Sequence, residues 1–265
     1  MIKICRYIGL LLLTAPVLFA SEPLLDSDLD GVEDRYDHCP NTPFDAIVDP
    51  QGCSQDSQTT RWLLQAGIDY SADEHYASST LLNLYLSIFY QNWDLALSTT
   101  NQSRLNTQTT TEDDLYVTLG YTLPPLNHHT YLHLFTGTKF AFVTKGTRDN
   151  DYFLGADLSY AYTQATNLFA YYSYTLSGEG DGIAYRDFST LSFGVGQQLS
   201  AQWYGSFNYT YVEATYVGAA SSRSLSFSGR YIFKENLYLS MGYTYGLNRD
   251  NYDHTLSLAI GVNFE

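Results

Sequence analysis

Charge is scarce in this chain: only 15% of its 265 residues are Asp, Glu, Lys or Arg, against roughly 25% in a soluble globular domain. Bases are scarcest, with thirteen Lys and Arg facing twenty-eight Asp and Glu for a net charge of −15. That balance excludes nucleic acid as a partner, because phosphate binding needs clustered Lys and Arg. Three cysteines are too few to staple a chain of this length, so it must fold on its own sheets or helices. No apolar run reaches the roughly 20 residues of a spanning helix; the longest extends from Ile8 to Phe19. What the chain does have is twenty-five tyrosines, fourteen phenylalanines and nineteen glycines beside two methionines. This composition favours strands and turns over helices.

The N-terminus carries Lys3 and Arg6, then the apolar run from Ile8 to Phe19, then Ala20 before Ser21-Glu22-Pro23. The pattern predicts a secretory signal over residues 1–20, removed on export; the alternative is an uncleaved anchor. Cys5 precedes the apolar run and is not placed to become a lipid-modified N-terminus. Export leaves Cys39 and Cys53 as a pair in an oxidising compartment, where a disulfide is expected.

From Asp26 the chain reads DSDLDGVEDRYDHCPNTP. Acids recur at alternate positions before a glycine, so Asp26, Asp28 and Asp30 can converge on one hard cation while Gly31 permits a sharp turn. The carbonyl of Val32, with Asp34 and Asp37, completes an all-oxygen shell. Such a donor set suits Ca2+, which takes six to eight oxygens in flexible geometry, better than zinc or magnesium. In an EF-hand loop these residues occupy positions one, three, five, six, seven, nine and twelve, with an aspartate replacing the bidentate glutamate at twelve. The alternative is a disordered acidic tail, since Arg35 is the sole base in residues 21–58.

DSDLDGVEDRYDHCPNTP, followed by VDPQGC, resembles a thrombospondin type 3 repeat of the bacterial kind, over residues 26–53. In bacteria such repeats often link an outer-membrane barrel to a peptidoglycan-binding domain, as in relatives of outer membrane protein A. The resemblance implies a calcium-rigidified spacer with Cys39 bridged to Cys53. Here the repeat precedes the large domain and no peptidoglycan-binding domain follows it.

After Thr60 the hydrophobic pattern has a period of two. Leu256, Leu258, Ile260, Val262 and Phe264 take one side against Thr255, Ser257, Ala259, Gly261 and Asn263. Leu115, Val117, Leu119 and Tyr121 do the same against Tyr116, Thr118, Gly120 and Thr122. Segments of about ten residues with one apolar and one small polar face predict an all-β fold, a transmembrane antiparallel β-barrel over residues 59–265. Twelve strands are expected, near 60–70, 79–90, 93–99, 114–123, 130–142, 152–162, 167–177, 188–198, 202–212, 223–233, 237–247 and 254–264. Connections alternate between long and short, which predicts a cell outer membrane location with both barrel ends, and the acidic module of residues 21–58, in the periplasm. The partners expected are outer-membrane lipid and lipopolysaccharide, with cell-wall contact through the calcium module. Tyr90, Tyr121, Tyr160, Tyr174, Tyr211, Tyr231 and Tyr245 fall near the ends of outward rows, where an aromatic girdle belongs.

The inward rows are mainly Ser, Gly, Thr and Ala, with Asp69, Asp94, His133, Lys139, Asp157 and Arg230 as candidate lumen-lining groups. Two states follow: a narrow wet lumen, or one closed by charges paired across it and plugged by inward Tyr116, Tyr171, Tyr204 and Tyr238. The leading function is a porin-like channel for small solutes. A non-conducting structural or surface-interaction barrel is second. An embedded hydrolase is third, either at a rim joining Asp73, Glu74 and His75 to Asp250, Asp253 and His254, or on His133 with Ser159.

Calcium titration of the full-length protein should show saturable heat or spectral change. Asp28→Ala and Asp30→Ala should each weaken it sharply, since each removes one of the few carboxylates in the shell. Zinc binding without calcium binding would overturn the all-oxygen assignment.

Overall fold

The computed structural model describes residues 60–264 apart from 73–77, 104–111, 125–128, 144–148, 181, 183, 235 and 249–252. The expected signal and acidic module, residues 1–58, lie outside the described residues. Twelve strands follow in chain order: β1 (Arg61–Ala72), β2 (Ser79–Tyr90), β3 (Trp93–Ser103), β4 (Glu112–Thr122), β5 (Thr130–Val143) and β6 (Asp151–Ala161). The second half comprises β7 (Thr166–Leu176), β8 (Phe188–Ser200), β9 (Trp203–Val212), β10 (Ser222–Lys234), β11 (Leu237–Gly246) and β12 (His254–Phe264).

Every strand pairs antiparallel with its neighbour in sequence, and β12 returns to β1 through a ladder from Trp62↔Phe264 to Ala72↔His254. The sheet is a closed barrel with no free edge. The alternation seen in the sequence explains the two surfaces. On β12, Leu256 is 56% exposed and Ile260 50%; apolar residues this open, repeated on every strand, form a lipid-facing band. No helix among the described residues is long and apolar enough to cross a membrane; the crossing is made by strands.

Short connections at 91–92, 123–129, 162–165, 201–202 and 235–236 gather at the end where β1 begins and β12 finishes. The tightest is the two-residue turn after Tyr90, where Gln91 takes a left-handed φ of 53°, a conformation that two-residue hairpins require. All three tryptophans mark this end: Trp62 stacks parallel to Phe264, Trp93 tilts on Tyr121 at 4.7 Å, and Trp203 on Tyr231 at 4.7 Å. The rings form a girdle where the wall leaves the apolar layer. Among the tyrosines expected near the ends of outward rows, Tyr90 and Tyr160 are exposed at this end and Tyr245 at the other.

The long connections at the other end are tied to one another. Asp149 N–H donates to Glu179 O at 2.8 Å, Arg186 N–H to Thr215 O at 3.0 Å, and Val217 N–H to Ala184 O at 2.8 Å. Strand β3 extends to Ser103, beyond the expected 93–99. Residues past Thr99 lose apolar alternation, yet their ladder continues through Asn101↔Leu82 to Thr80↔Ser103. A strand that has cleared the bilayer needs no apolar face, so periodicity ends before pairing does.

Leu258→Arg, on the outward face near mid-strand, should lower the unfolding free energy in lipid vesicles by about 2–4 kcal/mol. Ser257→Arg, on the inward face, should be tolerated. Equal damage in urea titrations of both variants would contradict the assignment of the two faces.

Candidate functional site

The inward rows of the twelve strands define the lumen, and all six ionisable groups expected there line it. They are not paired across it. His133 on β5 lies between two carboxylates of the same wall, with Nε2 2.8 Å from Asp94 Oδ1 on β3 and Nδ1 3.3 Å from Asp157 Oδ2 on β6. Lys139 lies 2.8 Å from Asp114 and 3.8 Å from Asp151. Asn83 Nδ2 donates to Asp69 on the neighbouring strand. Arg230 stacks over the Tyr238 ring at 4.6 Å, while the Tyr238 hydroxyl donates to Gln65 Oε1 at 2.9 Å. The reason is reach: strands lie about 4.8 Å apart, so an Asp and a His can meet over one or two strands, whereas a twelve-strand lumen is wider than such side chains span.

Several of these contacts run over glycine. A Cβ at Gly120 would fall on His133 Nε2 and the Asp94 carboxylate; one at Gly261 would fall on the Tyr238 ring. Gly196 is crossed in the same way by Tyr204, whose hydroxyl donates to Asn167 Oδ1 at 2.9 Å. An inward glycine thus opens the seat in which the neighbouring strand's long side chain lies along the wall.

Two carboxylates of the lumen fall outside the expected set. Asp114 lies two residues into β4, and Asp151 begins the inward row of β6, where it is buried and also accepts the Gly178 N–H at 2.7 Å. Both sit at strand ends, where residues read equally well as loop; extending the rows through Tyr116 and Phe153 by one step would have found them. Inward Phe135, Phe153, Phe169 and Tyr85 were also missed, because apolar rings are expected on the lipid side. Phe135 lies nearly parallel to Tyr171 at 5.5 Å and 14°, and Phe153 tilts against both Phe135 and Tyr116. One side of the lumen, β4 to β7, is therefore ringed. The opposite side, β10 to β12 and β1, carries hydroxyls in bonded pairs: Ser226 with Thr244 at 2.8 Å and Ser71 with Thr255 at 2.9 Å.

Among the described residues the hydrolase candidates do not pair. His133 is held by two carboxylates and not by Ser159. His254 turns outward, with Nδ1 2.7 Å from the Tyr243 hydroxyl and its ring near Tyr245; it belongs to the girdle. Asp73, Glu74, His75 and Asp250 lie outside the described residues, as do Asp26, Asp28, Asp30, Val32, Asp34, Asp37, Cys39 and Cys53. Among the described residues no group of His, Cys, Asp and Glu forms a metal site.

No protein-family model matches the chain, and no curated protein does. Solved structures do. An outer membrane channel from Pseudomonas putida F1 superposes with a TM-score of 0.59 at 14% identity, covering 82% of this chain and 100% of that one. The NanC porin gives 0.57 at 17%, covering 76% and 99%. The KdgM porin, solved in complex with disordered oligogalacturonate, gives 0.52 at 11%, covering 77% and 98%. Identities this low carry the architecture, and a shared fold does not by itself carry a function.

Gly120→Ala should force His133 off Asp94 and cost about 1–3 kcal/mol of stability by overpacking. Thr118→Ala, two residues away in the same row, should cost less than Gly120→Ala in the same urea titration. Equal effects would mean that the glycine is not a seat.

Proposed function

We propose that the chain is an outer-membrane, porin-like channel for small solutes with a preference for cations. The observation that carries this reading is that the described residues form no packed core inside the barrel. Among the described residues the only buried apolar side chains are Ala96 at 8% exposure and Tyr238 at 4%. The large inward rings Phe135, Phe153, Phe169 and Tyr171 all keep part of their surface open, and the Asp157 side chain is 47% exposed. A plugged barrel would bury these groups to interior density. The charges pair along the wall and do not bridge the centre.

The cation preference follows from the sign of that lining. Between the rims, Asp69, Asp94, Asp114, Asp151 and Asp157 outnumber Lys139 and Arg230, with Arg61 at the short-turn mouth over Phe89. A narrow low-dielectric passage lined by one sign concentrates the opposite ion. The arrangement gives no support to an enzyme.

On this reading the short turns and both barrel ends face the periplasm, as does the segment 21–58, which would hold Ca2+ on the carboxylates from Asp26 to Asp37 and be stiffened by a Cys39–Cys53 bridge. Its donors are oxygens throughout, which is the chemistry that calcium requires. The lipid-facing band and girdle suit outer-membrane lipid and lipopolysaccharide.

Refolded protein in planar bilayers should give discrete conductance steps with a reversal potential on the cation side in a salt gradient. Asp157→Asn, which removes a half-exposed carboxylate, should move that potential toward neutrality and leave the steps intact. Folded protein without current would establish the non-conducting structural barrel instead.

A further inference from the structure

The two sides of the lumen differ in chemistry, and the difference selects a class of solute. Phe153 lies over Gly137 and Phe135 over Gly155, each crossing the backbone of the next strand where a Cβ would collide with the ring. A ring laid along the wall in this way turns its free face to the lumen. Phe135 and Tyr171 lie nearly parallel with centroids 5.5 Å apart, an offset stack in which each ring keeps part of its surface open. Across the barrel, beside the Arg230–Tyr238 stack, Ser226 and Thr244 and Ser206 and Ser228 offer hydroxyls that both donate and accept.

We propose that this lumen binds uncharged oligosaccharides in transit, with pyranose C–H faces on Phe135 and Tyr171 and sugar hydroxyls on the opposing Ser/Thr rows; the proposal rests on the channel reading. A sugar ring has one weakly polar face and a rim of hydroxyls, which matches a site with apolar rings on one side and exchangeable hydrogen bonds on the other. An apolar hydrocarbon would use the rings and strip water from the Ser/Thr rows without replacing its bonds. An acidic saccharide would meet Asp69, Asp94 and Asp157, a repulsive lining. Charge therefore rejects polyanions, and hydroxyls reject oils.

The experiment uses the refolded full-length protein in two formats, with maltohexaose and cellohexaose as neutral probes and hexagalacturonate as the anionic one. In bilayers a neutral probe should interrupt the current reversibly with rising concentration. Equilibrium dialysis in detergent should show the same probe bound. Phe135→Leu and Tyr171→Leu keep apolar bulk over the wall but remove the stacking face, and each should weaken both effects about tenfold, the equivalent of about 1.4 kcal/mol. Absence of current would remove the channel reading while dialysis still decides the binding. Neither neutral probe bound in dialysis, hexagalacturonate bound as well as the neutral probes, or both Leu variants unchanged would each overturn the proposal.

Discussion

The structure depends on the closure of one sheet. In the apolar part of a membrane an unpaired N–H or C=O costs several kcal/mol, and a strand at an open edge exposes a row of them. The pairing of β1 with β12, maintained from Trp62↔Phe264 to Ala72↔His254, removes that edge. Once the ring is closed, the backbone is satisfied whatever the side chains are, so the two faces can be specialised independently. The outside must be apolar because it meets lipid; the inside has only to avoid unsatisfied polarity. This explains how a folded domain can have almost no buried apolar side chains among its described residues.

Closure also determines how the interior handles charge. A carboxylate in the wall needs a partner, and the partners within reach are on adjacent strands. Asp94, His133 and Asp157 form one lateral link across β3, β5 and β6; Asp114, Lys139 and Asp151 form another across β4 to β6. Both need room beside the wall, and Gly120 provides it for the first. A glycine in a strand interior weakens local β propensity, yet here each such loss allows a long side chain to bridge strands. The hydrogen-bonded ladder supplies the tolerance.

Much of this was legible in the sequence because lipid imposes a strict rule on every second residue. The twelve strands, their order and most of their ends follow from the period of two, and Leu256 to Phe264 shows it without interruption. Where lipid is absent the rule lapses: β3 continues past Thr99 with polar residues on both faces, and Asp114 and Asp151 lie among the first paired residues of β4 and β6, where no apolar alternation announces them. Inward Phe135 and Phe153 were hidden for the opposite reason. Their chemistry matches the lipid face, and only their parity with Gly137, Lys139, Gly155 and Asp157 places them inside. The lateral direction of the charge pairs was not legible, because strand spacing and lumen width are properties of the closed ring and not of any segment.

The same ring then separates structural side chains from those available to a solute. Residues that meet a neighbour along the wall, such as Lys139 with its two carboxylates, are occupied in holding strands together, and removing one leaves a half-buried charge unpaired. The phenylalanines seated on glycines have no polar group to pair and present a surface instead. Phe135 is of this second kind, its edge fixed over Gly155 with Tyr171 stacked on it, and what the pair leaves open is available to whatever fills the passage. With hydroxyl pairs opposite, which can redirect their hydrogens without moving their oxygens, the passage presents fixed apolar planes on one side and adaptable polarity on the other. A solute that slides past such a lining exchanges one contact for an equivalent one at each step, and that exchange allows selection without trapping.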